Sequence, residues 1–245
     1  MVFQPYLAMT AAEMAKREVF PFPAAWMACH FSPYGTGLSN LPTALPEGSM
    51  LMLNDRMPIA GHDPERIAGE LEETANALHC AKILLDFQRP GNPETAQVVQ
   101  AVEKLPFPVG VSDCYAAESD CAVLLPPLPL TGLPEDYIAP WKGRELWLEV
   151  AVEAQCVTVT ENGSLFSPCE AAPPLPMVDE RLHCRYGIEV LPQSVQFTLQ
   201  RSPGELQALM AACGRLGVSC FVGLYQQLGS FFDQAEAQDT ALDQF

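Results

Sequence analysis

The chain has 245 residues, and its 30 Asp and Glu side chains against 13 Lys and Arg give a formal net charge of −17. This excess of negative charge argues against nucleic acid and anionic membranes as partners, because both are bound through a basic face. Apolar residues make up 49% of the chain. No apolar run approaches the roughly 20 residues that span a bilayer. The composition is that of a folded domain with a sizeable core, suited to a neutral or cationic ligand.

Apolar and helical segments alternate along most of the chain. A short helical pattern within the first 22 residues ends at a proline, and seven segments with the character of buried strands follow. In chain order these segments are "PAAWMACHF", "SMLMLND", "KILLDF", "FPVGVSD", "SDCAVLLPPLPL", "RELWLEVAV" and "VSCFVGLYQQLG".

Three helices between these strands carry start signals. Asp63 precedes Pro64, which is the pattern of an N-cap followed by proline at the first helical position. Apolar residues then recur at helical spacing, at Ile67, Leu71, Ala75 and Leu78. The same asparagine-proline or serine-proline start appears at Asn92 and at Ser202.

Residues from about 152 to 200 have a different character. They show alternating polarity and an Asn162-Gly163 turn signal, which predict a hairpin, and two further antiparallel strands follow. Strands alternating with helices predict parallel pairing through crossovers. We therefore expect an α/β fold, a TIM-type (β/α) barrel of seven or eight strands. A single barrel domain would cover residues 1–230, with a small α+β insertion at about 152–200 before the last strand and an acidic tail at 231–245. A doubly wound open sheet is the alternative, but no glycine-rich phosphate loop follows the first strand.

Polar residues gather where the predicted strands end. They are Asn54 and Asp55, Asp86 and Gln88, Ser112 and Asp113, and Tyr225 and Gln227. In a parallel barrel the carboxyl ends of the strands form one rim, and sites are built there. This rim is the expected location of a functional site.

Two stretches carry a resemblance to a known family. "AKILLDFQRP" resembles the signature strand D-x-x-D-x-D-x-E of glycoside hydrolase family 18, the chitinase-like family. Asp86 falls on the third Asp of that pattern, and Gln88 falls on the catalytic Glu. The two earlier Asp positions fall on Ala81 and Leu84.

The second stretch runs from "SVQFTLQRSPGE" to "GVSCFVGLYQQLG". It resembles the end of the same barrel in the bacterial spore and cell-wall branch of the family, with Tyr225 at the place of the usual tryptophan. The two stretches and the order of elements between them extend the resemblance over about residues 24–230.

The resemblance implies a substrate-assisted mechanism, in which a glutamic acid protonates the glycosidic oxygen and the neighbouring Asp orients the acetamido group of the substrate. Gln88 has no proton to give, because an amide is not an acid. Leu84 removes a second carboxylate, and "LLPPLPL" stands where the family has Met-x-Tyr-Asp. We therefore predict a barrel that binds an N-acetylglucosamine-type glycan with lost or weak hydrolysis. Its degenerate catalytic pair is Asp86 and Gln88; the predicted sugar-binding residues are Asp55, Phe87, Tyr225, Gln227 and Trp26.

Other functions stay open from sequence alone. An active glycosidase could recruit Asp55 or Asp113 as its acid, or the barrel could be a structural or interaction protein without a sugar role. His30 and His62 could form a metal site with Asp55 and Asp86, although no fixed short spacing supports it. We expect no cofactor and no metal, and packing roles for Trp141 and Trp147.

Cysteine usage and the N-terminus bear on location. Nine scattered cysteines without a C-x-x-C pair predict buried, reduced thiols rather than a disulfide framework or a zinc site. The N-terminal residues lack the basic start and apolar block of a signal peptide. A cytoplasmic protein is expected, or an extracellular or spore-associated one if a longer precursor is trimmed.

Overall fold

The computed structural model describes residues 4–35, 37–152, 154–169 and 175–230. Its strands are β1 (Tyr6–Met9), β2 (Ala24–Phe31), β3 (Leu38–Ser39), β4 (Met50–Asn54), β5 (Lys82–Asp86), β6 (Val109–Ser112), β7 (Ala122–Leu125), β8 (Leu146–Val150), β9 (Ala154–Thr160), β10 (Gly163–Pro168), β11 (Met177–Asp179), β12 (Cys184–Leu191), β13 (Ser194–Gln200) and β14 (Val218–Leu224). Its helices are α1 (Ala11–Met14), α2 (Pro64–Ala77), α3 (Pro93–Val102), α4 (Pro134–Ile138) and α5 (Pro203–Arg215).

Eight strands close into a ring in the order β1, β2, β4, β5, β6, β7, β8 and β14, and β14 pairs back onto β1. The pairing is parallel, and the short strand β3 joins β2 antiparallel outside the ring. The prediction of a TIM-type barrel is confirmed, and the closed ring rules out the open doubly wound sheet.

The expected count of seven recognised strands was one short, because β1 (Tyr6–Met9) was not recognised. This strand is four residues long and immediately precedes "TAAEMAKREVF", the segment that was predicted as helical. Only Ala11–Met14 of that segment is helical, and it begins with a capping box between Thr10 and Glu13.

The longer helices begin where their sequence signals placed them. The Asp63 carboxylate accepts the backbone N–H of Glu65 at 3.1 Å, and α2 starts at Pro64. Asn92 caps α3 in the same way, at 3.0 Å from the backbone nitrogen of Glu94. Each cap satisfies a backbone donor that the first helical turn would leave unpaired.

The barrel interior is a packed core rather than a channel. Its buried residues are Ala8, Ala25, Met50, Met52, Leu84, Ala122, Leu124, Trp147, Cys220 and Val222. Trp147 is fully buried, and its indole occupies the space where a Cβ at position 110 would stand. Any side chain at position 110 would overlap the indole of Trp147, so this position on β6 requires glycine. Trp147 has the packing role predicted for it.

The chain divides into two compact units. Among the described residues, the barrel unit comprises Gln4–Pro126, Gly143–Glu149 and residues 219–230. The inserted unit comprises Pro127–Lys142 and Val150–Val218, and it holds a five-stranded antiparallel sheet in the order β10, β9, β13, β12, β11. Its hairpin turns at residues 161–162, as the Asn-Gly signal predicted. The predicted acidic tail, 231–245, lies outside the described residues.

The expectation of reduced thiols was wrong for one pair. Cys156 and Cys169 form a disulfide in the β9–β10 hairpin, with a Cα–Cα distance of 5.5 Å. On β10, Ser167 pairs with Cys156, and Cys169 follows two residues later, with its backbone N–H donating to the carbonyl of Ala154 at 3.2 Å. The hairpin register therefore brings the two sulfur atoms together.

Seven cysteines of the chain should react with an alkylating reagent when the protein is unfolded without reductant. This number is the nine cysteines less the two in the disulfide, and the other seven are free thiols. Intact-mass spectrometry should show two further alkylations after reduction. Nine alkylations without reductant would contradict the pairing of Cys156 with Cys169.

Candidate functional site

Four polar side chains face the barrel axis at the carboxyl end of the ring. Successive side chains of a strand point to opposite faces, so Asn54 and Asp86 share the inward face of Met52 and Leu84. Ser112 follows Gly110 by two residues on β6, and Glu149 follows the inward Trp147 by two residues on β8. These four residues lie at the carboxyl end of the ring, next to the apolar core.

Asp86 and Gln88 lie together, as the sequence predicted. The Gln88 side-chain amide donates to Asp86 Oδ1 at 2.5 Å. Burial raises the pKa of the Asp86 carboxyl above its ordinary value near 3.8, and the Asp55 carboxylate adds to this rise; the Gln88 hydrogen bond and Arg56 oppose it. Asp86 is thus a partly desolvated carboxyl held by an amide that can donate and accept hydrogen bonds but cannot supply a proton.

Asp55 organises the loop that follows β5. Its two carboxylate oxygens accept the backbone N–H groups of Gln88, at 3.1 Å, and Arg89, at 2.9 Å. The Arg89 guanidinium returns to the carbonyl of Arg56 at 3.1 Å. Because Asp55 is buried and both of its oxygens are engaged, it serves as a clamp between two strand ends and is poorly placed to act as an alternative acid.

Phe87 supports this loop from inside. Its ring is 0% exposed and packs between Phe31, at a centroid distance of 5.8 Å, and Tyr115, at 6.0 Å. The Tyr115 hydroxyl donates to the carbonyl of Arg89 at 2.5 Å and ties the same loop to β6. A ring without an exposed face cannot stack on a sugar in this conformation, so the predicted binding role of Phe87 finds no support in its burial.

Tyr225 follows β14 and is held by the segment after α1. Its hydroxyl accepts from Arg17 Nη2 at 2.7 Å, and its ring packs against Phe22 at 5.9 Å. Leu224 packs against the inward core, so Tyr225, one residue on, leaves the strand on the other face. Gln227 is half-buried in the helical residues 225–230. Tyr225 is thus a packing residue in this structure, and the two residues are not joined to Asp86 by a described contact.

Trp26 lies on the outer face of β2. It neighbours the inward Ala25, is 8% exposed, and its indole N–H donates to the carbonyl of Asn40 at 2.8 Å. It lines a cavity of about 750 Å³ formed with residues 11–20 and 43–46. The alternation of side chains explains why a tryptophan from a barrel strand is not at the barrel mouth.

Glu149 was not predicted as a site residue. It is half-buried at the end of β8, whereas the other carboxylate alternative, Asp113, is exposed in the 3₁₀ turn Asp113–Tyr115. The signal for Glu149 was present in the sequence "LWLEV", because a tryptophan and a glutamate two residues apart share one face of a strand. What was lacking was knowledge of which face Trp147 takes.

The metal alternative does not assemble. His30 Nδ1 lies 2.8 Å from the carbonyl of Phe31 and its Nε2 lies 2.9 Å from the Asn40 amide, while His62 Nδ1 lies 2.5 Å from the carbonyl of Ile59. In the part of the chain that the structure describes, no group of three or more His, Cys, Asp or Glu side chains is placed to hold a metal ion. The same residues include no helix that is long and apolar enough to cross a membrane.

Replacing Asp86 by Asn should stabilise the protein at neutral pH. The folded state raises the pKa of Asp86, so it binds the proton more tightly than the unfolded chain does. Ionisation of Asp86 therefore lowers the free energy of unfolding as the pH rises from the ordinary pKa of the unfolded chain to the raised pKa of the folded state. Asn stays neutral and can still accept from Gln88.

Urea unfolding of wild type and Asp86→Asn, measured from about pH 3 to pH 7, checks this. The two stabilities should converge at the acid end and separate toward neutral pH. The same substitution at exposed Asp113 is the control. A difference that is constant with pH, or an Asn variant that is less stable at neutral pH, would contradict the assignment.

This chain is similar to known proteins in its fold, and the sequence comparisons found no match. No protein family profile and no curated protein matches the sequence. The crystal structure of the Bacillus cereus spore cortex-lytic enzyme SleL is similar, with a TM-score of 0.55 and 12% identity over 90% of this chain and 70% of that one. The Bacillus megaterium QM B1551 spore cortex-lytic enzyme SleL gives 0.53 and 10%, over 91% and 70%. At such identities the likeness establishes the barrel fold alone.

Proposed function

We propose that this chain is a glycoside hydrolase family 18-like barrel that binds an N-acetylglucosamine-type glycan and has lost most or all of the hydrolysis. The main observation behind this proposal is the Asp86–Gln88 pair. The inward carboxyl of Asp86 at the end of β5 accepts a hydrogen bond at 2.5 Å from the amide of Gln88, which stands at the position of the family's acid. The pair keeps the hydrogen-bonding capacity of a sugar site and lacks its proton donor.

Further features support the proposal. Asn54 and Ser112 flank Asp86 on the neighbouring strands β4 and β6, which sets polar groups around one end of the ring. Leu84 lies in the apolar core, so no second carboxylate stands below Asp86. Two proteins that share the fold are named as spore cortex-lytic enzymes, and a glycan ligand is consistent with this structural similarity. A cytoplasmic location stays part of the proposal, although a disulfide is unusual in a reducing compartment.

Calorimetric titration with N-acetylglucosamine oligomers, followed by mass spectrometry of the injected mixture, tests the proposal. Saturable heat with intact oligomers is the expected result, and Asp86→Ala should remove it. The control is Asp113→Ala, an exposed carboxylate beyond the end of β6. Absence of heat from the wild-type protein would refute sugar binding, and rapid cleavage would refute the loss of hydrolysis.

A second candidate, an active glycosidase with a different acid, is favoured by one observation. Glu149 brings a second carboxylate to the inward face of the ring, on β8, three strands from Asp86. Two carboxyl groups facing one site are the usual equipment of glycosidases. Under this candidate the mass spectra would show cleaved oligomers, and Glu149→Gln would abolish the cleavage while Gln88→Met would not.

A further inference from the structure

Arg201 is a buried cation whose described partners are all neutral. It lies between β13 and α5 and is 3% exposed. Its Nη1 donates to the carbonyl of Leu128 at 2.7 Å, and its Nη2 donates to those of Pro129, at 3.2 Å, and Leu182, at 3.4 Å. Its Nε donates to the carbonyl of His183 at 3.3 Å. These bonds join the segment after β7 to the turn before β12.

No carboxylate balances this charge among the residues that the structure describes. The acid nearest in sequence, Glu205, is bound by Ser202 and by Arg185, whose Nε lies 3.1 Å from it. A guanidinium keeps its proton under all ordinary conditions. Buried charges in proteins are otherwise paired with an opposite charge, because neutral dipoles compensate them only in part.

The guanidinium also keeps donor capacity. It carries five N–H bonds, of which four are used in the hydrogen bonds above, so one on Nη1 has no acceptor among the described residues. Arg201 lines a cavity of about 230 Å³ within the inserted unit. The cavity wall offers a further donor, the Gln155 amide, and apolar surface from Leu130, Phe166 and Pro168.

We propose that this cavity binds a carboxylate carried on a short apolar stem. The carboxylate would accept the Arg201 N–H that has no described acceptor, and would supply a negative charge that no described residue gives to the buried guanidinium. The apolar wall of Leu130 and Phe166 suits a hydrocarbon stem. A phosphate would need donors for four oxygens, and the described wall offers two donor groups, the Arg201 guanidinium and the Gln155 amide. Binding here is independent of the barrel residues Asp86 and Gln88, since every lining residue belongs to the inserted unit.

Calorimetric titration of the full chain with sodium butyrate tests the inference, with butyramide as a neutral ligand of the same shape and sodium chloride to hold the ionic strength. Butyrate should give saturable heat, and butyramide should give none. Acetate, which keeps the charge and loses most of the stem, should bind more weakly than butyrate. No heat from butyrate, or equal heats from butyrate and butyramide, would overturn the proposal.

Variants locate the site without disturbing the Arg201 bonds. Phe166→Ala should remove part of the apolar wall and weaken butyrate binding several-fold, with little effect on the binding of acetate. Leu165→Ala is the matched control, since Leu165 is an exposed apolar residue of the same strand outside the cavity lining. Butyrate binding that is unchanged in Phe166→Ala, or is weakened equally by Leu165→Ala, would contradict the assignment to this cavity. Arg201→Gln should also lose binding if its circular dichroism spectrum shows that it folds.

Discussion

Trp147→Ala should lower the free energy of unfolding by about 3–5 kcal/mol, the range expected for deleting a buried aromatic side chain. The indole is fully buried at the centre of the barrel, with Lys82 Nζ 5.0 Å from its ring centroid on one side and Gly110 against it on another. Neighbouring strands cannot close on the vacated space, because the ring of parallel pairing fixes their separation. Urea unfolding monitored by circular dichroism measures the loss.

The contact between Trp147 and Gly110 can be isolated by a double-mutant cycle. Gly110→Ala should cost about 1–3 kcal/mol on its own, because a methyl group would overlap a ring that has no room to move. In a Trp147→Phe background the same change should cost less, because the smaller ring leaves space for the methyl group. Equal costs in both backgrounds would show that the two residues are not coupled, and Trp147→Ala with near wild-type stability would contradict the packed interior.

The elements that the sequence predicted well are those whose signals are local. Helix starts at Asp63 and Asn92 depend on a cap and a proline within two residues, and the hairpin of β9 and β10 depends on its turn. The strand β1 was not predicted, because four residues are too few to show a period. It is a strand because it pairs with β2 and with β14, which is distant in sequence. That pairing exists only in the closed ring.

The proximity of Asp86 and Gln88 was predictable from the sequence, whereas the directions of the neighbouring side chains were not. The signature resemblance placed Asp86 and Gln88 together, and the structure joins them by a hydrogen bond. It could not show that Phe87 and Trp26 turn away from the axis, because alternation gives two faces without saying which one is inside. Glu149 was missed for the same reason. The disulfide was missed because Cys169 lies beyond the strand pairs of its hairpin, although the register set by the Asn-Gly turn brings it beside Cys156.

Gln88→Glu should raise the cleavage rate of N-acetylglucosamine oligomers by about 10²-fold over the wild-type protein, toward the lower end of what a general acid contributes. The side-chain nitrogen of Gln88 lies 2.5 Å from Asp86 Oδ1, so a carboxyl at position 88 would share one proton with Asp86. Two carboxyl groups at such a distance cannot both ionise readily, and the pKa of the pair is raised further above that of the already buried Asp86. The shared proton is then available to a leaving group.

The gain should stay below the upper limit of about 10⁴-fold for an acid, because Leu84 still stands where the family has a supporting carboxylate. Its pH profile should fall on the alkaline side, as the pair loses its proton and the acid with it. Gln88→Met has a similar length without an acid and should show no gain. If Gln88→Glu binds oligomers and cleaves none, the missing acid is not what limits hydrolysis, and the explanation moves to the packed interior below Asp86. A gain that disappears in Gln88→Glu with Glu149→Gln would instead show that the opposite carboxylate takes part in the reaction.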